Sequence, residues 1–299
     1  MLDMTNYDDW EDLPTLIQYL AVQLASSRLA LTLGAGISKP LGLPDWEELI
    51  ERLYRSKAAP RPSSGDLTQQ AEDFRTKFFP TDFDGFKTAV KTALYDGFAI
   101  DFKTLRQNDN LAAIASLVMS SQRGSASKVV SFNYDNLVEI YLAYHGFVAR
   151  PVSDEIHWSN SPDVTIYHPH GFLPYGAREP MSEQLILDRE SYDQILGKPH
   201  LPWYQLSLTI MRTHTCVFIG LSGDDNALTG LLTDIKKVHA IANSKRELFW
   251  GVLFTTNPDL KPRWEKRNVF CKVLKDYNEL PDILFKVCQY AAQSLKFSP

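Results

Sequence analysis

The sequence predicts an α/β fold, a parallel sheet with helices on both faces and an inserted helical module. Three observations predict it. A short apolar strand at residues 29–33 (LALTL) runs into a glycine turn, and an amphipathic helix then starts near Trp46. Strand, glycine turn and helix form the opening unit of nucleotide-binding α/β folds. Continuous apolar runs at 215–221 (TCVFIGL) and 248–254 (LFWGVLF) read as strands buried on both faces, the mark of a parallel sheet. Strand and helix signals alternate through the second half of the chain, whereas 67–121 is mostly helical with no strong strand. The expected architecture is therefore Rossmann-like.

The elements follow in order. Residues 13–26 carry apolar side chains at helical spacing ahead of the first strand. Residues 58–65 (AAPRPSSG) cannot continue a helix and mark a break. Residues 57–125 are expected to form the inserted helical module. Strand signals return at 128–132 (KVVSF), followed by a helix at 136–144 and short strands at 147–151 and 164–168. Residues 171–202 are irregular and then partly helical, so 171–212 is a candidate lid or second insertion. After the strand at 215–221 come a helix at 227–242, the strand at 248–254, a strand at 269–273 and a closing helix at 282–295. No internal repeat or low-complexity tract interrupts the chain, and residues 1–299 read as one domain.

Composition narrows the function classes. The 299 residues are 44% hydrophobic and 22% charged, the proportions of a globular chain and not of a disordered one. The formal net charge of −5 argues against a surface built to neutralise nucleic-acid phosphates, and direct nucleic-acid binding is not indicated. The one local basic run, 261–267 (KPRWEKR), reads first as a solvated turn or helix end. Three widely spaced cysteines, Cys216, Cys271 and Cys288, make neither a disulfide framework nor a four-thiolate zinc site. The acidic N-terminus has no apolar signal core, and no apolar run approaches the ~20 residues of a membrane span. A soluble, cytoplasmic, reduced protein with no membrane partner is expected.

Four motifs carry the chemistry. Gly34-Ala35-Gly36-Ile37-Ser38 follows a strand, where glycines permit a tight turn and free N–H groups favour the oxygens of a pyrophosphate. Alone, it is equally a plain turn. Ser131-Phe132-Asn133-Tyr134-Asp135-Asn136 ends a second strand, with Asn133 and Asp135 facing the same side of an extended segment. Asp135 or Asn136 can instead cap the next helix while Asn133 still faces a ligand. His168-Pro169-His170-Gly171 follows a third strand. Neither a carboxylate nor a cysteine lies at a suggestive spacing nearby, so no metal is expected. Phe218-Ile219-Gly220-Leu221-Ser222-Gly223-Asp224-Asp225 ends a fourth, with Asp224 and Asp225 alternatively capping the following helix.

The stretch GAGISKPLGLPDW, Gly34 to Trp46, resembles the sirtuin signature, in which GAGIS is followed by G-I-P-D-F at this spacing. The other motifs are similar to that family's and occur in its order. The resemblance implies a loop of Gly34, Ala35, Gly36 and Ser38 over NAD, with Asp45 and Trp46 at the nicotinamide end. Trp46 is otherwise the first buried aromatic of a helix, and Glu47 stands where sirtuins usually carry arginine. It further implies Asn133 for positioning the ribose and the attacking group, Asp135 for the carboxamide, His170 as base, and Gly220 and Ser222 near the adenosine ribose. His168 is expected to orient or pack.

Protein-deacylating sirtuins carry two CxxC pairs for zinc, and this chain has none. A retained histidine and asparagine without the zinc module is similar to bacterial antiphage proteins whose sirtuin-like domain hydrolyses NAD. The resemblance thus implies an NAD glycohydrolase, gated by homo-oligomerisation and by a separate sensing partner such as a HerA-type ATPase. A non-catalytic NAD or ADP-ribose sensor and a zinc-free deacylase or ADP-ribosyltransferase remain open.

Overall fold

The computed structural model describes residues 7–119, 124–154, 163–176, 179–196, 198, 200–222, 226–242 and 249–294. Its strands are β1 Leu29–Leu33, β2 Lys128–Ser131, β3 Ala149–Val152, β4 Val164–Tyr167, β5 Thr215–Ile219, β6 Gly251–Thr255 and β7 Val269–Val273. They form one sheet in the order β3-β4-β2-β1-β5-β6-β7, with every neighbouring pair parallel. Chain order reverses direction at β1, because β2 lies on one side of it and β5 on the other. In open α/β sheets ligands bind beyond the strand carboxyl ends at such a point. The register makes the edge level there. Leu33 pairs with Ser131 and with Ile219, and Val130 with Tyr167. Gly34, Phe132 and Gly220 therefore leave the sheet side by side, with the His168–Gly171 turn next to them.

The helices are α1 Leu13–Ala25, α2 Trp46–Ser56, α3 Leu67–Phe78, α4 Phe83–Leu94, α5 Phe102–Arg106, α6 Asp109–Val118, α7 Leu137–Tyr144, α8 Arg189–Ile195, α9 Pro202–Thr213, α10 Asn226–Ala242, α11 Lys261–Glu265 and α12 Glu279–Ser294. Their starts are written in short polar side chains. Asp12, Asp45, Asp66, Asp82, Asp101, Asn108 and Asp188 each accept an N–H of the first turn that follows. Each such cap contributes about 1 kcal/mol.

Alternate strand residues face opposite layers. Leu29, Leu31, Leu33, Val217 and Ile219 pack with α1, α6, α7 and α12, while Ala30, Cys216 and Phe218 pack with α9, α10 and Trp264 of α11. Helices cover both faces, as the buried apolar runs require. The helical stretch 57–125 divides between two packing units. Helices α2, α3 and α4 share a cluster around Phe74 and Phe86, which Leu173, Leu185 and Leu187 join, whereas α6 packs on α12 in the main layer. The stretch 171–212 divides likewise, since α9 contributes Trp203, Ile210 and Met211 to the layer under the sheet.

The basic run 261–267 is α11 and its end. Trp264 is fully buried there, and Lys261 pairs with Glu11 and Glu265. Cys216, Cys271 and Cys288 are buried and unbridged. Among the described residues no helix is long and apolar enough to cross a membrane. Gly223, Asp224 and Asp225, the start of the 248–254 run, and residue 295 of the closing helix lie outside the described residues.

Candidate active site

The carboxyl ends of β4, β2, β1 and β5 open into a cleft of about 550 Å³, within the usual range of ligand sites. Its wall contains Gly34, Ala35, Gly36, Ser38, Asp45, Trp46, Asn133, Asp135, His170, Gly220 and Ser222. The structure thus brings together all of the residues that the four motifs nominate.

The glycines act by permitting close approach. A Cβ on Gly34 would lie 2.5 Å from the Gly220 carbonyl oxygen, and one on Gly36 would lie 2.7 Å from Gly220 Cα. Gly220 itself has φ +72°, a left-handed conformation that favours glycine. The β1 and β5 turns can therefore touch backbone to backbone: Gly34 N–H donates to Ile219 O (2.9 Å) and Gly36 N–H to Gly220 O (3.0 Å). The expectation of free N–H groups at the turn therefore holds only in part: the Ala35 N–H has no acceptor among the described residues, while those of Gly34 and Gly36 are taken. Those of Ile37 and Ser38 are also bonded, to Gly34 O and Ala35 O. The turn continues as short 3-10 segments, and α2 begins only at Trp46, so no α-helix N-terminus follows the glycines directly.

Asn133 connects the strand ends. Its side-chain Nδ2 donates to Gly34 O (3.2 Å) and Ser38 Oγ (3.3 Å). The amide oxygen has no protein partner among the described residues and remains an acceptor at the cleft. Asp135 is 6% exposed, and its Oδ1 accepts the Leu137 N–H (3.1 Å) at the start of α7. Burial pushes its carboxyl up to about 6, against the pull of the Leu137 N–H and the Ser38 hydroxyl. Between the two capping candidates, Asp135 caps and Asn136 does not. Asn136 accepts the Tyr175 N–H (2.8 Å) and donates to Glu179 (3.3 Å).

His170 is 8% exposed and stands edge-on to Phe132, with centroids 4.8 Å apart. Gly171, at φ +102°, turns the chain tightly there, since a Cβ would meet Gln184 O at 2.5 Å. His168 does not face the cleft. It is engaged by the Asn133 carbonyl and Glu139, so the two histidines do not form a ligand pair. Among the described residues no group of three His, Cys, Asp or Glu side chains is arranged to hold a metal.

Asp45 caps α2 by accepting the Glu48 N–H (3.0 Å) and pairs with Lys39 at 2.5 Å. Burial would raise its carboxyl, but the Glu48 N–H and the Lys39 ammonium outweigh it and hold the pKa below the ordinary value. Trp46 lines the cleft and, partly buried, also packs against the α2–α4 cluster.

Sequence reasoning set 171–212 aside as a candidate lid or second insertion but named none of its residues for the site. Ile186, Asp188, Arg189, Tyr192 and Asp193, with Thr68 of α3, also face the cleft. Asp188 is 1% exposed and caps α8, while Arg75 of α3 bridges it (2.6 Å) to Glu190 (2.5 Å). The cap pattern Asp188-Arg189-Glu190-Ser191 was a visible signal for the start of α8, but nothing local pointed α8 at the cleft.

The chain is similar to known proteins in sequence and in fold. A family model described as a SIR2-like domain matches residues 127–279, just over half of the 299-residue chain. Defense-associated sirtuin 2 of Bacillus subtilis is 26% identical over 221 residues, 71% of this chain. The match covers only 20% of that protein, so the chain spans about a fifth of its relative's length. The crystal structure of a Sir2 homolog–NAD complex superposes with a TM-score of 0.50 at 13% identity, covering 94% of both chains, which is a likeness of fold. A second structure, described under "Structural Basis for the Mechanism and Regulation of Sir2 Enzymes", has a TM-score of 0.47 at 17% identity, covering 94% of this chain and 98% of that one. A parallel sheet whose strand ends gather a glycine turn, an asparagine and a histidine, and whose sequence matches that family model, identifies the chain as a member of the SIR2-like domain family.

Proposed function

We propose that this chain binds NAD in the cleft and hydrolyses its nicotinamide–ribose bond, giving nicotinamide and ADP-ribose. The observation that carries the proposal is the meeting of Asn133, Asp135 and His170 with the Gly34–Ser38 turn in one cleft. The residues suit the substrate. The Gly34–Ser38 turn, Gly220 and Trp46 all line the cleft, which supports a dinucleotide lying against them.

The chemistry asks little acid catalysis. The C1′–N bond breaks with its electron pair going to the nicotinamide nitrogen, which leaves neutral, so no carboxylic acid has to protonate it. The site must hold the ribose, stabilise an oxocarbenium-like sugar and place water on its vacated face. The Asn133 amide oxygen is the acceptor that positions water or a ribose hydroxyl. The water oxygen bonds to C1′, and its proton passes to His170 directly or through the ribose hydroxyls. Asp135, mostly ionised at neutral pH, accepts from the carboxamide N–H.

Water is favoured over a peptide acceptor by what lies against His170. Ser182 N–H donates to Phe172 O (2.9 Å) and Ile186 N–H to His170 O (2.8 Å). The chain's own segment thus takes the main-chain edge that an extended peptide would need. Buried Lys87 donates to the carbonyls of Ser182 and Glu183, and buried Asp154 accepts the Glu183 N–H, so this segment is fastened on both sides.

The match to a defence-associated sirtuin supports a role as an NAD-depleting antiphage effector. Such an activity needs gating, which we assign to homo-oligomerisation and to a separate sensing protein such as a HerA-type ATPase. Nicotinamide release from NAD by the pure chain, alone and with that partner, tests the proposal. His170→Ala and Asn133→Ala each abolish release while NAD still stabilises the fold. An active His170→Ala refutes the assignment. Stabilisation by NAD without turnover under every condition selects a sensor module, and release that depends on an acylated or acceptor protein selects a transferase.

A further inference from the structure

His168 and Glu139 form a buried hydrogen-bonded pair that the proposed reaction does not use. The imidazole is 1% exposed and Glu139 5%. Nε2 lies 2.7 Å from Glu139 Oε1, and Nδ1 lies 2.9 Å from the main-chain oxygen of Asn133. A carbonyl oxygen only accepts, so Nδ1 carries a proton. Burial works against a charged imidazole here, but the Glu139 carboxylate outweighs it and holds the pKa above the ordinary value. The ring packs on Phe172, with centroids 4.8 Å apart, and the His168 N–H donates to Val152 O (2.9 Å). The ends of β4 and β2 and the first turn of α7 are tied at one point.

A pair this deep is poorly explained as a stabiliser, because apolar replacements of such pairs are often neutral. What it touches is more informative. The Asn133 peptide has its carbonyl held by His168 and its side-chain Nδ2 held by Gly34 and Ser38. A carbonyl released from His168 can rotate, and the side-chain oxygen then leaves the cleft.

We propose that the Glu139–His168 pair is a positioning device that clamps the Asn133 peptide and so aims its side-chain amide at the reacting sugar carbon. This rests on the hydrolase reading. Glu139 orients the ring through Nε2, and the ring presents Nδ1–H to Asn133. Neither residue touches the substrate.

The test measures kcat and KM for nicotinamide release from NAD by the wild-type chain, under whatever conditions activate it, and by Glu139→Ala, His168→Ala and Glu139→Gln. The alanine variants lose about tenfold or more in kcat, with KM for NAD changed by less than about threefold. Glu139→Gln restores most of the lost rate, because its amide can donate to Nε2 while Nδ1–H still meets Asn133. Folded alanine variants with the wild-type kcat, a loss confined to KM, or a glutamine variant as impaired as alanine each overturn the proposal. Should the alanine variants not fold, nitrogen-15 NMR of His168 in the wild-type protein decides. A protonated Nδ1 at neutral pH is expected, and an unprotonated one overturns the clamp. The NMR signature needs no turnover. A wild type that binds NAD without releasing nicotinamide therefore refutes the hydrolase reading alone.

Discussion

Asp135 places an ionisable group where burial resists its charge, and that has a measurable consequence. Its carboxyl is pushed by burial from the ordinary 3.8 to about 6. The neighbouring Glu139 carboxylate pushes the same way, while the Leu137 N–H, the Ser38 hydroxyl and His168 pull back. The folded protein therefore holds this proton more tightly than the unfolded chain does. The associated stability is fully present below pH 3.8 and is lost as the pH rises through about 6. That interval corresponds to about 3 kcal/mol lost by pH 8.

Asp135→Asn keeps an acceptor for Leu137 and a donor for Ser38 and removes the charge. The variant is expected to be about 3 kcal/mol more stable than the wild type at pH 8 and about half that at pH 5, with no difference below the unfolded pKa. Urea unfolding at pH 5 and pH 8 measures this, as the change in midpoint at a common m-value. On the proposed hydrolase reading, nicotinamide release is expected to be lost in the same variant, a gain of stability at the expense of the site. A stability difference that is the same at both pH values, or a variant less stable than the wild type at pH 8, refutes the reasoning.

Two further outcomes follow from the packing around the cleft. Gly220→Ala sets a side chain at φ +72° and brings its Cβ to 2.9 Å from Gly34 O and Ile37 N, backbone atoms that cannot swing aside. The left-handed strain and the overpacking together are worth about 2–4 kcal/mol, a fall in melting temperature of about 3–6 °C; a melting temperature equal to the wild type's rules this out. Arg75→Ala leaves Asp188, 1% exposed, without its cation. A loss of about 3 kcal/mol is expected, with earlier proteolytic cutting within 179–196; an unchanged urea midpoint contradicts it.

Much of the fold was legible because parallel strands advertise themselves. A strand covered on both faces has to be apolar throughout, as 215–219 and 251–254 are, and Asp or Asn before a helical repeat marks where each capped helix begins. The candidate site was legible for a related reason. Its residues follow such strands directly, and parallel strands deliver their carboxyl ends to one edge of the sheet. Edges were read less well: the third strand is shifted to Ala149–Val152, since its short, half-exposed sequence carries little pattern.

The sequence by itself determined the order of the main strands and helices and the chemistry standing at each strand end. Only the tertiary structure decided what those ends meet. The strand order sets β4 beside β2 and β5 beside β1, which joins His170 to Asn133 and Gly34 to Gly220. It also brought the α8 segment across as a wall, through Arg75 and Asp188, 113 residues apart. The N–H groups of Gly34 and Gly36, free in prospect, became bonded because a second turn packs against theirs. The raised carboxyl of Asp135 and the clamp beneath Asn133 arise in the same way. Burial and long-range contact are properties of packing, and no local run of residues encodes them.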